Sequence, residues 1–503
     1  MTVDKVRHAP PRAAAMLESL RGLGYSTATA LADVIDNSIS AGATVVNLIF
    51  DWKGSGSSIR IIDDGVGMTA EQLDIAMRLG HRSPLDERHS MDLGRFGMGL
   101  KTASFSQCRR LTVATSTEGV SSCLRWDLDV LAKAEGDGWF LLEGPAAGAE
   151  ELIAPIHQMP HGTIVLWEHL DRIVTPGFLQ QDFLDLVDRV QAHLAMVFHR
   201  FLEHSASIQL TINGRPVKAW DPYLLDHATT WSSPVERLLA AGSAVEVQCH
   251  VLPHKDRLTA REQQEAAGPN GWNAQQGFYV YRNRRMLVAG SWLGLGRGRS
   301  WTKEESHRLA RIRLDISNSA DAQWNIDVRK SVARPPIEVR ERLTLLAEDC
   351  RHRARRVFAH RGAGSRGPTG NTIVQAWRAE RFDGGLRYRL DLTHPVISET
   401  LSEAGELAEQ IRAMLRVIEE TVPVQRIWLD TSEQRETPRT GFAGAPASDV
   451  DAVLTVIYRN MVLRKGLSCA DARIALKQME PFSDYPGLVD SLPTIEELTP
   501  GGE

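Results

Sequence analysis
Three short stretches of this 503-residue chain combine side chains and backbone suited to holding a phosphate-bearing ligand. In ALADVIDNSISAGA, Asp33 and Asn37 lie four residues apart, one turn of an α-helix, so a carboxylate and a carboxamide can share one ligand. In DDGVGMT, the acid Asp63 ends an apolar, β-branched run, and Gly65 and Gly67 let the main chain approach a flat ligand without interference from a Cβ atom. In GRFGMGLK, Gly94, Gly97 and Gly99 run into a helical pattern that also carries Lys101. There, unpaired N–H groups and the positive end of the helix dipole face any bound phosphate. Each stretch alone also has a plain reading, a solvated helix face or a common glycine turn; their order along the chain is what carries information.

The elements needed to position these groups are legible around them. Residues 12–40 hold two helical patterns, the second from Thr27 to Ser40 with Leu31, Val34, Ile35 and Ile39 largely on one side, ended by Gly42. TVVNLIF (44–50) and SIRIID (58–63) are β-branched strands separated by the turn-rich KGSGS. Thr69 with Gln72 three residues on is the pattern of a capping box, opening a helix to about Gly80. The polar segment 81–97 shows neither apolar period nor strand propensity and reads as a long loop, in functional terms a lid. A helix from near Met98, strands near 110–117, 121–127 and 162–168, and an amphipathic helix from Phe183 to Leu202 follow. A second αβ region has strands near 207–213, 277–282 and 309–316 around a polar excursion (254–276), then a helix from Ile337 to about Phe358. The Gly/Ser/Pro-rich stretch 362–371 is a linker, beyond which a strand (387–392) and helices near 399–419 and 447–463 are expected.

A chain of this length with 43% hydrophobic residues builds several cores. No run of eighteen apolar residues occurs and the N-terminus lacks the apolar stretch of a signal peptide, so the expected location is the cytoplasm, with no membrane partner. Five scattered cysteines (Cys108, Cys123, Cys249, Cys350 and Cys469) without a CxxC pair argue against a disulfide framework or a zinc site. The net charge of −5 is unevenly spread: Arg282 to Arg366 holds 20 Lys or Arg against 9 Asp or Glu, a local +11 that leaves −16 elsewhere. Such a block can meet a polyanion.

In order and spacing the three stretches resemble the motifs of the GHKL (Bergerat-fold) ATPase superfamily, which includes DNA gyrase, the mismatch-repair protein MutL, the heat-shock-protein-ninety chaperones and the MORC ATPases. A fourth element, HGTIV (161–165), resembles the late glycine–threonine strand of that fold. The resemblance covers about residues 12–172 and is closest in wording to MORC-like and bacterial chaperone-like members. It implies that ATP and Mg2+ bind here. Asn37 would hold the magnesium, and Asp63 would accept a hydrogen bond from the adenine amino group, supported by Thr163, with Met68 against the base. Gly65 and Gly67 belong to the same nucleotide-binding set; Gly94, Gly97, Gly99 and Lys101 would meet the phosphates. Asp33 stands where most of the family has the glutamate that activates the attacking water. Aspartate is shorter by one methylene, about 1.5 Å, which leaves open a shifted backbone, a slow ATPase, or a domain that switches with little turnover. Ser40, where relatives carry an acid, is a second departure. Asp36 and Asp64, by helix angle and strand alternation, are expected to meet solvent or cap locally.

The resemblance further implies a fold of three parts: an α/β sandwich ATPase (1–175), a transducer-like αβ domain (176–361), the linker, and a mainly helical C-terminal domain (372–503) of no assigned role. In the family the second domain supplies a basic residue to the γ-phosphate; the segment ending VRKS makes Lys330 the expected sensor, with Arg329 the alternative. Arg282, Arg284 and Arg285, bunched at one turn, and Arg297 and Arg299 are the expected contacts to double-stranded DNA. The functional expectation is an ATPase whose cycle closes the lid and drives homodimerisation in a DNA-associated machine with defence or repair partner proteins. A protein-remodelling chaperone is the alternative.

Overall fold
The computed structural model describes residues 12–80, 99–133, 139–203, 207–240, 243–317, 323–326, 332–359, 374–382, 385–427, 447–479 and 482–494. The chain divides into two compact units, Met1–Ala354 and Arg355–Glu503. The first unit contains two sheets.

Eight strands form the first sheet: β1 (Val45–Asp51), β2 (Ser58–Asp63), β3 (Arg110–Thr117), β4 (Val120–Asp127), β5 (Leu142–Glu143), β6 (Gly162–Glu168), β7 (Gln209–Ile212) and β8 (Arg215–Pro216), in the order β5-β4-β3-β6-β2-β1-β7-β8. Strand alternation sorts its residues to two faces. Leu111, Val113, Val165 and Trp167 join a large core with helices α1 (Ala13–Leu20), α2 (Thr27–Ser40), α3 (Ala70–Met77), α4 (Gly99–Phe105) and α5 (Gln180–Val197). Ala114, Ile164 and Leu166 face a smaller cluster with Ala149, Ile153 and Ile156. The result is an α/β sandwich. The segment near 207–213, expected to open the second αβ region, instead pairs as β7 in parallel with β1, because Leu210 and Ile212 complete the core of the first sheet.

Local chemistry explains the element ends. Ser26 caps α2 by accepting from the Thr29 N–H at 3.2 Å. Thr69 and Gln72 make a reciprocal capping box on α3, the Thr69 N–H donating to Gln72 Oε1 at 2.9 Å and the Gln72 N–H to Thr69 Oγ1 at 3.2 Å. Phe198 interrupts the expected Phe183–Leu202 helix, so that α5 ends at Val197 and a short turn of helix, His199–Leu202, follows. Asp64 fixes the start of β1: its carboxylate accepts from the N–H groups of Thr44 (2.7 Å) and Val45 (2.8 Å) and from Thr44 Oγ1 (2.6 Å).

The second sheet contains β9 (Trp231–Ser232), β10 (Glu236–Ala240), β11 (Ser243–Val251), β12 (Gly277–Arg282), β13 (Arg285–Ser291) and β14 (Ala310–Ile316), ordered β10-β11-β14-β12-β13 with β9 beside β11. The 22-residue helix α6 (Ile337–Phe358) packs along β11, where Cys350 Sγ lies 3.5 Å from the His250 carbonyl. The excursion at 254–276 holds a helix, Ala260–Ala267, that periodicity did not mark. Tyr279, Tyr281 and Met286 of this sheet belong to the same apolar core as α2 and the first sheet.

The linear charge block does not become a surface of the same charge. Arg282, Arg285, Arg311 and Arg351 are buried, Arg342 pairs with Glu236 at 2.6 Å, and Arg297 pairs with Glu348 at 2.7 Å. Arg284 is exposed and rests over the Phe201 ring, 4.9 Å from its centroid, while Arg299 is exposed. The expected DNA contacts at Arg282 and Arg285 are therefore corrected: a guanidinium enclosed by protein cannot meet a phosphate backbone.

In the second unit, a hairpin of β15 (Trp377–Phe382) and β16 (Gly385–Leu390) accompanies helices Pro395–Glu403, Ala408–Glu420, Ala447–Arg459 and Cys469–Lys477. Leu454, Tyr458, Leu476, Phe482 and Val489 share its core. Phe482 is the aromatic anchor of the PFSDYPGL stretch. The linker 362–371 lies outside the described residues. Among the described residues no helix is long and apolar enough to cross a membrane.

The Asp64 contacts make a stability prediction. Burial acts to raise its pKa, but the bonds from Thr44 and Val45 outweigh it and hold the carboxyl below its ordinary value. A depressed folded pKa contributes stability above the unfolded pKa, and that contribution is lost as pH falls through the folded one. Asp64→Ala should therefore cost on the order of 1 kcal/mol at pH 7. The gap to wild type should begin to narrow below pH about 4 and close as pH falls through the lower folded value, as read by denaturant titration across that range.

Candidate nucleotide-binding site
The C-terminal end of β2, an interior strand of the first sheet, meets α2 where Ser38 faces Asp63. Asp63, the last residue of β2, is only 5% exposed and sits opposite Thr163 of β6, which in turn sits opposite Thr115 of β3. Ser38 Oγ donates to Asp63 Oδ2 at 2.7 Å and the Gly65 N–H to Oδ1 at 3.0 Å. Burial pushes the Asp63 carboxyl above its ordinary pKa, and the bonds from Ser38, Gly65 and the Thr163 backbone limit the rise. Thr115 Oγ1 donates to the Gly162 carbonyl at 3.0 Å, accepts from the Met68 N–H at 2.9 Å and lies 3.4 Å from Thr163 Oγ1. Asp63, Met68 and Thr163 are thus brought together by three strand ends.

The two glycines after Asp63 are required by the protein itself. A Cβ at Gly65 would stand 2.9 Å from Ala41 Cβ, and one at Gly67, whose φ is +70°, would stand 1.8 Å from the Ser116 carbonyl oxygen. No side chain fits there, so the loop runs flush against the end of β3 and leaves Val66 outermost, 67% exposed.

On α2, Asn37 is exposed and Asp33 buried, one turn apart, with Asn37 Nδ2 donating to the Asp33 carbonyl at 3.3 Å. The Asp33 carboxylate accepts from Tyr25 Oη at 3.0 Å and lies 3.8 Å from Arg285 Nη2. Asp36 overturns its expectation. It is 1% exposed and accepts from Arg285 Nε at 3.1 Å, because the second sheet covers the side of α2 that a lone domain would show to solvent.

Gly99 begins α4, and Lys101, two residues on, is enclosed. Its ammonium donates to the carbonyls of Ala76 (2.7 Å) and Arg78 (2.9 Å) at the end of α3, and burial pushes its pKa down to about 8. These contacts tie α4 to α3. Gly94, Gly97, the remainder of residues 81–97, expected from sequence to act as a lid, and Arg329 and Lys330 lie outside the described residues.

Sequence patterns did not single out Tyr25, Ser38 or Thr115, since an isolated hydroxyl carries no period. Ser38 had one usable signal: it follows Asn37 on a helix whose apolar face is otherwise continuous. The pairing of Asp36 with Arg285, 249 residues apart, had none.

Residues 25–163 match the family described as histidine kinase-, DNA gyrase B-, and HSP90-like ATPase. Among curated proteins, the DNA mismatch repair protein MutL of Colwellia psychrerythraea is 29% identical over 279 residues, covering 52% of this chain and 37% of that protein. MutL of Shewanella piezotolerans is 29% identical over 267 residues, covering 50% and 38%. The ATPase morc-1 of Caenorhabditis elegans is 30% identical over 96 residues, 19% of this chain and 11% of that protein. The match therefore spans well under half the length of these relatives. With the sheet order, the buried acid at the end of β2 and the helix bearing Asp33 and Asn37 all in place, residues 25–163 of this chain are a domain of the GHKL ATPase family.

Proposed function
We propose that this chain binds and hydrolyses ATP at the corner formed by α2 and the end of β2, and that the cycle serves a DNA-associated machine. The observation that carries the reading is the buried Asp63 carboxylate, oriented by Ser38 and Gly65 beside Thr163 and Met68. A buried acceptor held in this way recognises a donor on a flat base, here the adenine amino group, and Met68 packs against the ring. The donor set fits magnesium as well, since the exposed Asn37 carboxamide offers the kind of hard oxygen that this cation takes beside phosphate oxygens and water. Mg2+, when bound, neutralises triphosphate charge. Asp33 orients and deprotonates the attacking water, while Gly94, Gly97 and Gly99 serve the phosphate side and Lys330 acts as sensor. The expected phosphate contact of Lys101 is corrected, since its enclosed ammonium is engaged with the Ala76 and Arg78 carbonyls. Phosphoryl transfer depends mostly on positioning and electrostatics, so closure of the 81–97 segment and pairing of two chains couple turnover to shape.

DNA association is supported by similarity to proteins named for mismatch repair and by the exposed arginines Arg284 and Arg299, with Arg297 exposed beside its partner Glu348. A protein-remodelling role is the second reading. The observation that favours it is the apolar side of helix Ala408–Glu420, where Met414, Val417 and Ile418 are exposed.

In calorimetry, Asn37→Ala and Asp63→Ala should abolish binding of a non-hydrolysable ATP analogue, while Asp33→Asn should bind it and release phosphate on the order of 10²-fold more slowly. Undiminished turnover in Asp33→Asn would remove that residue from the catalytic role.

ATP affinity should also fall on acidification, because a protonated Asp63 no longer offers the adenine amino group a charged acceptor. Burial places that loss above the ordinary aspartate value of 3.8. Binding isotherms from pH 7 down to pH about 4 check this, and Asp63→Asn should flatten the profile.

Anisotropy titrations with duplex DNA should show affinity that falls steeply with salt, varies little with base sequence and rises with the ATP analogue. Arg297→Glu with Arg299→Glu should weaken it while leaving nucleotide binding intact. Absence of binding at low salt in both nucleotide states favours the protein-remodelling reading.

A further inference from the structure
Helix α2 carries two buried carboxylates, Asp33 and Asp36, three residues apart and therefore on neighbouring sides of the helix. The cation that meets both comes from the other sheet. Arg285 is the first residue of β13, directly after the two-residue turn Asn283–Arg284, whose φ values are +47° and +69°. A turn with two left-handed residues reverses the chain tightly and matches the twist of the flanking strands, so the direction of the next side chain is set by the hairpin. The Arg285 guanidinium is buried and makes two hydrogen bonds and a longer ion pair. One terminal nitrogen donates to the Met286 carbonyl, Nε donates to Asp36 Oδ1 at 3.1 Å, and Nη2 faces Asp33 Oδ1 at 3.8 Å. Its plane lies near the Phe198 ring, 5.3 Å from the centroid. Burial, and after it the nearby Arg285 charge, pushes the pKa of His193 of α5 down to about 4, so it adds no second cation near neutral pH.

We propose that Arg285 is a positioning residue for ATP hydrolysis, anchored on Asp36 and aligning the Asp33 carboxylate from the second sheet. The inference rests on the proposed role of Asp33 as the acid that activates water. Tyr25 holds Oδ2 of that carboxylate from the segment before α2, and Arg285 faces Oδ1 from the hairpin, so the orientation of the group is set from two directions. Arginine suits the task because its planar fork presents its donors in a fixed geometry, whereas the ammonium of lysine is a compact charge on a flexible stem. Since aspartate is shorter than the glutamate common at this position, correct placement of the carboxylate matters more here. Any shift of the β12–β13 hairpin against α2 then reaches the reacting group directly.

The test uses the full chain with Arg285→Lys, the charge-neutral pair Arg285→Gln with Asp36→Asn, and Asp33→Asn in parallel. Binding of a non-hydrolysable ATP analogue, kcat and KM from phosphate release, and thermal melting are read for each. Both Arg285 variants should bind the analogue within about threefold of wild type while kcat falls at least about tenfold, the size expected for a misplaced group. Wild-type kcat in the charge-neutral pair, with Asp33→Asn inactive, overturns the role of Arg285 and leaves Asp33 standing. Equal losses in analogue affinity and kcat, or failure of the charge-neutral pair to fold, make Arg285 a structural residue and overturn the proposal. Full turnover in Asp33→Asn, or none in wild type, removes the acid assignment and this inference with it.

Discussion
Two carboxylates buried on one helix must be compensated, and that requirement organises the first unit. Asp33 and Asp36 together are almost inaccessible to water. Taking a charge out of water costs several kcal/mol unless a counter-charge and hydrogen bonds replace the lost solvent, and breaking such a pair costs about 3–5 kcal/mol. Arg285 supplies the charge and Tyr25 a hydroxyl. Because Arg285 belongs to the second sheet, the two sheets share an electrostatic contact as well as the apolar core that contains Leu31, Val190, Tyr279 and Tyr281. The helix bearing the proposed catalytic residues is thereby held by both halves of the unit.

A second constraint acts at the strand ends. Asp63 is kept in place by a serine of α2, a backbone N–H of its own loop and the neighbouring strand, while Thr115 ties Met68 to the Gly162 carbonyl. Such a network costs little on ligand binding, since the groups are already oriented. The same crowding explains the glycines: positions 65 and 67 face protein atoms too close for a Cβ. Close packing, rather than access for a ligand alone, makes those residues necessary.

The basic block shows how far linear charge can mislead. An excess of +11 over Arg282–Arg366 reads as a polyanion surface, yet several of its arginines are enclosed and others are matched by acids from distant segments, such as Glu236 for Arg342. Net charge along a sequence says what must be compensated somewhere; it does not say where the compensation happens.

Much of the first sheet and its helices was legible because the signals are local. The Thr27–Ser40 helix follows from apolar period and the stop at Gly42, the start of α3 from a capping box, and strands β1, β2, β3 and β6 from β-branched runs bounded by turns. The order of Asp33, Asn37, Asp63 and Thr163 likewise sufficed to point to one nucleotide-binding family. Contacts between remote segments were not legible. That β7 completes the first sheet depends on which edge was left open, and that Asp36 is buried depends on a hairpin arriving from 249 residues away. Sequence alone determined the elements and the residue types that can do chemistry, because propensity, capping and turn preference act over a few residues. The tertiary structure decided which of those residues lie inside, which charges pair, and from which side the proposed catalytic acid is held, because burial and Coulomb interaction depend on distance in space and not along the chain.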